Sequence, residues 1–296
     1  MARLLLLAVV GLAAVSAASA GVFSAGTVQD QFSVTFNLIP DPFHMFSFFS
    51  MPRDTDAAFE GGWKLEYTWY NDDLAVHCRK NDYRVCVMFD RRGKVAGIRL
   101  SISAEEMDSF RLPVDIDKIP EWQRWTFFDY GDVYSATVFF QSEEQISQGG
   151  RSIHNSTTLV IPDGLWILQT DKNGDDIGRV HVPLHESGAV AAGFTEQACF
   201  MGMGKHYFQD LTPDTDCANH RPYFTLYSPK TKELTGFGFT MFGKPSTKRG
   251  WFEHPTAAVA KMIAPNSPQC LADYINAYGF FTMHVYFVER PWNIRC

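Results

Sequence analysis

Three histidines in the last third of the chain stand in local sequences that suit a ligand or a metal ion. His206 lies in MGKHY, His254 in WFEHP and His284 in TMHVYF. Three imidazoles that meet would leave a coordination position open on a zinc or copper ion, since histidine nitrogen suits both metals. Our hypothesis is that His206, His254 and His284 converge on one site, with zinc or copper as the candidate cofactor.

Acidic and phenolic side chains beside these histidines suggest further roles. Glu253 precedes His254, and it could be a fourth metal ligand, a group that orients a ligand, or a general base acting on metal-bound water. Tyr207 follows His206, and Tyr286 lies two residues after His284. If the protein is an enzyme, Glu253, Tyr207 and Tyr286 are its candidate catalytic residues.

The segments MGKHY, EHP and TMHVYF resemble those of a set of secreted or periplasmic β-rich domains of unassigned activity. In those domains an MGxH segment, a Glu-Pro segment and a late histidine-bearing strand occur in the same order. The resemblance covers about the last third of the chain, and here His254 separates Glu253 from Pro255. It implies a shared pocket architecture and supplies no reaction.

Alternation of apolar and polar residues predicts the strands that would position these groups. In FTMHVYFV, Phe281, Met283 and Val285 would face one way, while His284 would face the other way, toward a polar surface or a cavity. Further strand candidates are QFSVTFNL, WKLEYTWY, LAVHC, YRVCVMF, VAGIRLSI, VYSATVFF, LWILQT, GRVHV, YFTLY and LTGFGFTM. Short turns between them predict a mainly β fold of antiparallel sheets, arranged as a sandwich or a barrel.

Helix signals are few and are concentrated in the C-terminal half. Ser103 begins a capping-box pattern before a short helix over 105–110, and PTAAVAKMI and PQCLADYINAYG predict two later helices. The polar segment 142–158 is a candidate boundary between an N-terminal β-rich subdomain, residues 21–145, and a C-terminal one, residues 159–296. A single domain with a long loop is the alternative.

The N-terminus has the features of a secretory signal peptide. Arg3 is followed by an almost wholly apolar stretch at 4–14 and by the small-residue pattern Ala-Ser-Ala at 18–20. We therefore predict that residues 1–20 are removed and that the protein is secreted and extracellular. No later segment has the roughly 20 continuous apolar residues of a membrane helix, so membrane insertion is not expected.

Export also accounts for the six cysteines, which are expected to form three disulfides in an oxidising compartment. A three-residue turn at 81–83 would bring the first two cysteines opposite each other. Asn155 begins an Asn-Ser-Thr sequon, which is a predicted glycosylation site on an exposed loop. Sequence proximity predicts the pairs Cys78–Cys86, Cys199–Cys217 and Cys270–Cys296.

Other function classes find little support in the sequence. The net charge of −7 is spread along the chain without a basic patch, so nucleic acid is not an expected partner. GFTMFGK matches the start of a phosphate-binding loop, but Pro245 stands where a serine or threonine is needed. DKNGDD contains oxygen donors that suit calcium, but its Asn-Gly pair favours a hairpin turn.

Three functions are compatible with these patterns. The first is a secreted, disulfide-bonded β protein that binds a metal ion, a small molecule or both in an aromatic pocket around the three histidines. The second is a metal-dependent oxidase, oxygenase or hydrolase that uses the same pocket. The third is an extracellular matrix or structural protein in which the histidines have no special role.

Overall fold

The computed structural model describes residues 30–35, 48–71, 73–151, 159–246 and 249–296. Within these residues two antiparallel sheets form a β-sandwich around a shared core, and neither sheet closes into a barrel. The mainly β fold predicted from the alternating sequences is therefore confirmed. The predicted signal peptide, residues 1–20, and the predicted glycosylation site at Asn155 lie outside the described residues.

One sheet has seven strands and carries His206 and His284, whereas His254 lies outside its strands. Every neighbouring pair in it is antiparallel. In spatial order it contains β11 (Phe194–Phe200), β12 (Gly204–Gln209), β13 (Tyr223–Tyr227), β14 (Leu234–Phe242), β15 (Phe280–Tyr286), β1 (Ser33–Thr35) and β2 (Phe48–Ser50).

The second sheet has eight strands, and β7 (Gln123–Phe127) extends one edge of β8 in it. Each sheet combines strands from both sides of the predicted boundary at 145–159, so the predicted subdomains do not coincide with the sheets. Along the main path, the order is β10 (Asp176–Val182), β9 (Leu165–Thr170), β8 (Gly131–Phe139), β6 (Val95–Ser103), β5 (Asp82–Asp90), β4 (Leu74–Arg79) and β3 (Trp63–Trp69).

Aromatic side chains fill the space between the sheets. Phe140, just after β8, lies edge-on to Phe32 and to Phe287, with ring centroids 5.2 Å apart in both pairs. Phe237 of β14 packs against the same group, 6.0 Å from Phe287. Burial of each such ring stabilises the fold by about 1.5–3 kcal/mol, so this contact holds the two sheets together.

Short helices lie at the ends and on one face of the sandwich. The three predicted helices are present as α2, α5 and α6, whereas α1, α3 and α4 were not predicted, although Ser142 and Gln145 form a capping box at α3. No helix in the described part of the chain is long and apolar enough to cross a membrane. The six helices of that part are α1 (Thr55–Glu60), α2 (Ala104–Ser109), α3 (Glu143–Ser147), α4 (Glu186–Ala191), α5 (Ala257–Ile263) and α6 (Gln269–Tyr278).

One of the predicted disulfides is confirmed. Cys78 and Cys86 lie opposite each other on β4 and β5, with Cα atoms 4.3 Å apart. The turn between these strands differs from the prediction, because β5 already begins at Asp82 and pairs there with Arg79. Asn81 adopts a positive φ of 57°, which suits its place in the tight connection.

The other two predicted disulfides are wrong: Cys199 pairs with Cys296, and Cys217 pairs with Cys270. The reason is the path of the chain after β11. Strand β12 returns beside β11, so the partner opposite Cys199 in the sheet is Lys205. The chain then leaves the hairpin, and Cys217 lies beside the start of α6. Proximity along the sequence therefore did not give proximity in space.

The eight-stranded sheet is strongly curled, so its outer face encloses a second core. Tyr70, at the end of β3, donates a hydrogen bond of 2.8 Å to Asp176 of β10, at the opposite edge of the sheet. Inside the curl the guanidinium of Arg99 stacks on Trp69, with its carbon 3.8 Å from the ring centroid. Trp125 lies at 5.1 Å from the same carbon.

Hydrogen bonds complete the environment of Arg99, which is only 2% exposed. Its Nε donates to Thr137 Oγ1 at 2.8 Å, and its Nη1 donates to the Tyr67 hydroxyl at 2.8 Å. Its Nη2 donates to Gln123 Oε1 at 3.0 Å. Cation–π stacking and these bonds offset the cost of removing a charge from water.

We expect Arg99→Ala to lower the free energy of unfolding by about 3 kcal/mol, because it removes a hydrogen-bond donor from buried Thr137 and from the half-buried Tyr67 and Gln123, and opens a gap between two tryptophans. Urea unfolding measures the change. Arg124→Ala removes an exposed arginine from the neighbouring β7 and should change stability by less than about 1 kcal/mol. Equal effects of the two substitutions would contradict this account of the second core.

Candidate functional site

Strand β15 presents His284 to the outer face of the seven-stranded sheet. Phe281, Met283 and Val285 point into the core between the sheets, as the alternation in FTMHVYFV predicts. His284 therefore lies on the opposite face, where α5 and α6 pack. The prediction that this histidine lines a cavity agrees with its position in the structure.

A buried carboxylate fixes the His284 ring. The Nδ1 atom lies 3.0 Å from Oε1 and 2.9 Å from Oε2 of Glu253. Because an ionised carboxylate only accepts hydrogen bonds, Nδ1 is the donor, and in the neutral ring Nε2 keeps its lone pair. Nε2 is buried and has no hydrogen-bond partner among the described residues.

The backbone and two hydroxyl groups hold Glu253 in place. Glu253 forms an antiparallel bridge with Thr282, through two backbone hydrogen bonds of 2.9 Å. Thr282 also donates its hydroxyl to Oε2 at 3.1 Å, and Thr35 of β1 donates to Oε1. The carboxylate is only 2% exposed, so its orientation toward His284 is set by protein groups.

His206 reaches the same site from β12. Its Nδ1 lies 3.3 Å from the carbonyl oxygen of Ala198, which makes Nδ1 the donor and leaves the Nε2 lone pair free. Burial, and secondarily the nearby His284, lowers the pKa of His206 to about 3, so the ring is neutral near pH 7. Nε2 of His206 likewise finds no partner in the described part of the chain.

The two imidazoles come together across two intervening strands. Their ring centroids lie 6.1 Å apart and their planes are perpendicular, although three strand spacings separate β12 from β15 by about 14 Å. Gly238 on β14 lies between them and has no side chain to block the approach. The ring of Phe224 lies over Gly238, and its centroid is 5.5 Å from that of His206 and 5.0 Å from that of His284.

An apolar cavity of about 70 Å³ adjoins the two histidines. It lies between the seven-stranded sheet and the two helices α5 and α6, and we call it the histidine pocket. A volume of this size accommodates more than one water molecule or a small organic group. Its apolar wall includes Phe200, Met203, Val259, Ile263, Leu271 and Phe280.

His220 and Thr240 also line the histidine pocket, and neither was identified from the sequence. His220 Nε2 and Thr240 Oγ1 are buried and have no partner within the described residues. Burial lowers the pKa of His220 to about 4. The position of His220 depends on the loop that the Cys217–Cys270 disulfide ties to α6. Since that pairing was not predicted, no sequence pattern indicated a role for His220.

His254 does not join the other two histidines, so the predicted three-histidine convergence is wrong. Glu253 points inward in an extended segment, and the next residue therefore points outward. His254 is exposed, and its Nδ1 lies 3.1 Å from the carbonyl oxygen of Phe280. The described residues contain no group of three or more histidine, cysteine, aspartate or glutamate side chains that could hold a metal ion.

The two predicted tyrosines have different positions. Tyr207 follows His206 on β12 and therefore faces the core between the sheets, where its hydroxyl contacts Glu186 and donates to Glu196 at 3.1 Å. It is not part of the histidine pocket. Tyr286 stacks on His284 with an interplanar angle of 9°. Burial raises the pKa of Tyr286, so its hydroxyl stays protonated.

Comparison of the chain with protein-family models, with curated proteins and with solved structures found no match. The arrangement of Glu253, His284, His206 and the histidine pocket is therefore the basis for any functional assignment. These groups form a small, largely apolar cavity beside two imidazole Nε2 atoms that have no hydrogen-bond partner among the described residues.

We expect Gly238→Ala to destabilise the protein by about 2 kcal/mol, because a Cβ atom there would lie 2.1 Å from Cζ of Phe224. The Phe224 ring would have to move and would displace both imidazoles. Urea unfolding measures the loss. Adding Phe224→Leu to the same chain provides room and should recover part of the stability. A Gly238→Ala protein as stable as the wild type would contradict the proposed packing.

Acid should weaken the fold through the buried histidines. Their pKa values of about 3 for His206 and about 4 for His220 lie below the ordinary value near 6.5, which applies in the unfolded chain. From about pH 6.5 downward the unfolded chain therefore binds more protons, and each histidine lowers the free energy of unfolding by up to about 1.4 kcal/mol per pH unit. Each contribution ends near the folded pKa, where the native protein also binds the proton.

Urea unfolding at several pH values from about 7 to about 4.5 measures this dependence. His220→Gln should make it shallower, whereas His181→Gln, which replaces an exposed histidine on β10, should leave it unchanged. An identical pH dependence in the wild type and in His220→Gln would contradict the role of the buried imidazole.

Proposed function

We propose that the protein binds a small, mainly apolar molecule that carries a hydrogen-bond donor. The molecule occupies the histidine pocket, and its donor group bonds to Nε2 of His206 or His284. The observation that carries this proposal is that two buried acceptor nitrogens beside one apolar cavity have no partner among the described residues.

Energetics supports a ligand with a donor group. His206 is 1% exposed and His284 is 3% exposed, so bulk water does not satisfy their Nε2 atoms. A buried polar atom without a partner costs about 1–3 kcal/mol, and a bound donor removes that cost. Both rings are already oriented through Nδ1, so a ligand would not have to order them.

The wall of the pocket supports an apolar ligand body. Phenylalanine and aliphatic side chains from the sheet and from α5 and α6 surround the cavity. Contact with an apolar ligand would remove their surface from water, which is energetically favourable. On the α5 side, Val259 and Ile263 remain partly exposed, while Ala260 is buried. This side of the pocket is therefore our candidate for the route of entry.

Extracellular function is part of the same proposal. Three disulfides form among the described cysteines, and such bonds persist mainly in oxidising compartments. The predicted signal peptide at 1–20 and the predicted glycosylation site at Asn155 are compatible with export. A secreted protein of this kind would carry, sequester or sense its ligand outside the cell.

Catalysis is a second candidate, and the contact between Glu253 and His284 favours it. A carboxylate on Nδ1 orients an imidazole and stabilises its charged form, so Nε2 can act as a general base. The base would take the proton of a bound hydroxyl group onto Nε2, and Glu253 would stabilise the resulting imidazolium. Tyr286, stacked beside His284, remains a candidate donor in that scheme.

Metal binding has less support once the positions of the histidines are known than it had from the sequence alone. Within the described ranges only His206 and His284 supply neighbouring imidazole nitrogens, so a zinc or copper ion would have to take its remaining ligands from solvent or from the bound molecule. The metal-dependent enzyme therefore has less support than metal-free ligand binding.

The ligand proposal is tested with two isomeric probes, n-butanol and methyl propyl ether, which suit a cavity of about 70 Å³. They have the same number of heavy atoms, but only the alcohol donates a hydrogen bond. We expect the alcohol to bind about tenfold more tightly, since one such bond contributes about 1.4 kcal/mol at a buried acceptor. NMR titrations that follow the histidine ¹⁵N resonances measure both affinities.

Substituted proteins assign the preference to the pocket. His206→Phe and His284→Phe remove an acceptor while keeping a ring, and each should reduce the ratio of the two affinities. His181→Phe changes an exposed histidine outside the pocket and should leave the ratio unchanged. Equal affinity for alcohol and ether in the wild type, or no binding of either, would overturn the proposal and favour a structural role.

A further inference from the structure

The far end of the histidine pocket carries a second set of polar groups. His220 Nε2 and Thr240 Oγ1 are both buried, and both lack a partner in the described part of the chain. They line the same cavity as His206 and His284. A ligand whose single donor group bonds to His206 or His284 would leave both of these groups without a hydrogen-bond partner.

The positions of the two ends follow from the register of β15. The His220 ring packs against Phe242 and Phe280, with centroid distances of 5.1 Å and 5.9 Å. Phe280 precedes His284 by four residues on the same face of β15, which corresponds to about 13 Å along the strand. The His220 and His284 rings therefore lie at different ends of the cavity, at a separation on the order of 10 Å.

Thr240 lies between these two ends. It pairs with Thr282 in the register of β14 and β15, and Thr282 is midway between Phe280 and His284. The Thr282 hydroxyl is occupied by Glu253, whereas the Thr240 hydroxyl is free to donate and accept within the pocket. The second end thus offers one imidazole acceptor and one hydroxyl group.

We propose that the ligand of the histidine pocket is elongated and bears a hydroxyl group at each end. One hydroxyl donates to the His206 and His284 end, and the other donates to His220 Nε2 while accepting from Thr240. This inference rests on the proposed function and specifies its ligand class: a short apolar chain or ring with two terminal hydroxyl groups.

The alternative occupant of the second end is an ordered water molecule. A buried water needs two or more polar partners, and His220 with Thr240 would supply them. The two occupants make different predictions for a ligand with a second hydroxyl. If a water stays in place, the second hydroxyl can bond only to that water, so it exchanges one water partner for another and brings little gain in affinity.

The test compares butane-1,4-diol with n-butanol on the full chain, by the same histidine ¹⁵N titration. The extended diol separates its hydroxyl oxygens by roughly 6 Å, and a hydrogen bond of about 2.8 Å at each end gives it a reach of roughly 11 Å. We expect the diol to bind about tenfold more tightly than the mono-alcohol, because it adds a hydrogen bond to a buried acceptor. A diol that binds equally or more weakly would overturn the inference.

Two substitutions test the residues involved. Thr240→Val keeps the shape of the side chain, and His220→Phe keeps a ring; each should bring the affinity ratio of diol to mono-alcohol down toward one. His181→Phe should leave the ratio near tenfold. An unchanged ratio in both Thr240→Val and His220→Phe would overturn the inference even if the diol binds more tightly to the wild type.

Failure of this inference is distinguishable from failure of the proposed function. If n-butanol binds better than methyl propyl ether and the diol gives no gain, only the second end is wrong. If n-butanol and the ether do not differ, or if neither binds, the proposed function fails, and the inference fails with it.

Discussion

The contact between the Glu253 carboxylate and the His284 imidazole is the constraint on which the site depends. It joins three segments that are distant in the sequence, since Thr35 of β1 and Thr282 of β15 also donate to this carboxylate. With Nδ1 occupied, Nε2 is the only ring nitrogen left for a ligand. Without the carboxylate the ring could rotate or change tautomer, and the pocket would lose its defined acceptor.

The second requirement of the site is a position without a side chain on the face of the sheet between β12 and β15. Gly238 supplies it, because the Phe224 ring can lie directly over its Cα atom. The flat ring then forms the floor on which His206 and His284 approach each other. A small residue and a large one on adjacent strands thus position two polar side chains that the backbone alone would keep far apart. The same packing makes the floor apolar, which suits the ligand class we propose.

Sequence patterns correctly predicted those features of the structure that depend on residues close together in the chain. The alternation in FTMHVYFV gave the orientation of His284, and the short spacing of Cys78 and Cys86 gave their disulfide. His254 was misassigned because adjacent residues in an extended segment face opposite ways, and Glu253 was the one that faced inward. Gly238 looked like part of an ordinary strand, since its role exists only in its cross-strand contact with Phe224.

The protonation state of the imidazoles tests the central claim most directly. Long-range ¹H–¹⁵N correlation spectra of the ligand-free protein at about pH 8.5, well above the ordinary histidine pKa of about 6.5, distinguish protonated from unprotonated ring nitrogens. Our account predicts that His206 and His284 each carry the proton on Nδ1 and have an unprotonated Nε2, because Nδ1 donates to Ala198 and to Glu253, respectively. A proton on Nε2 of either ring would contradict the account, since that nitrogen could then no longer accept a hydrogen bond from a ligand.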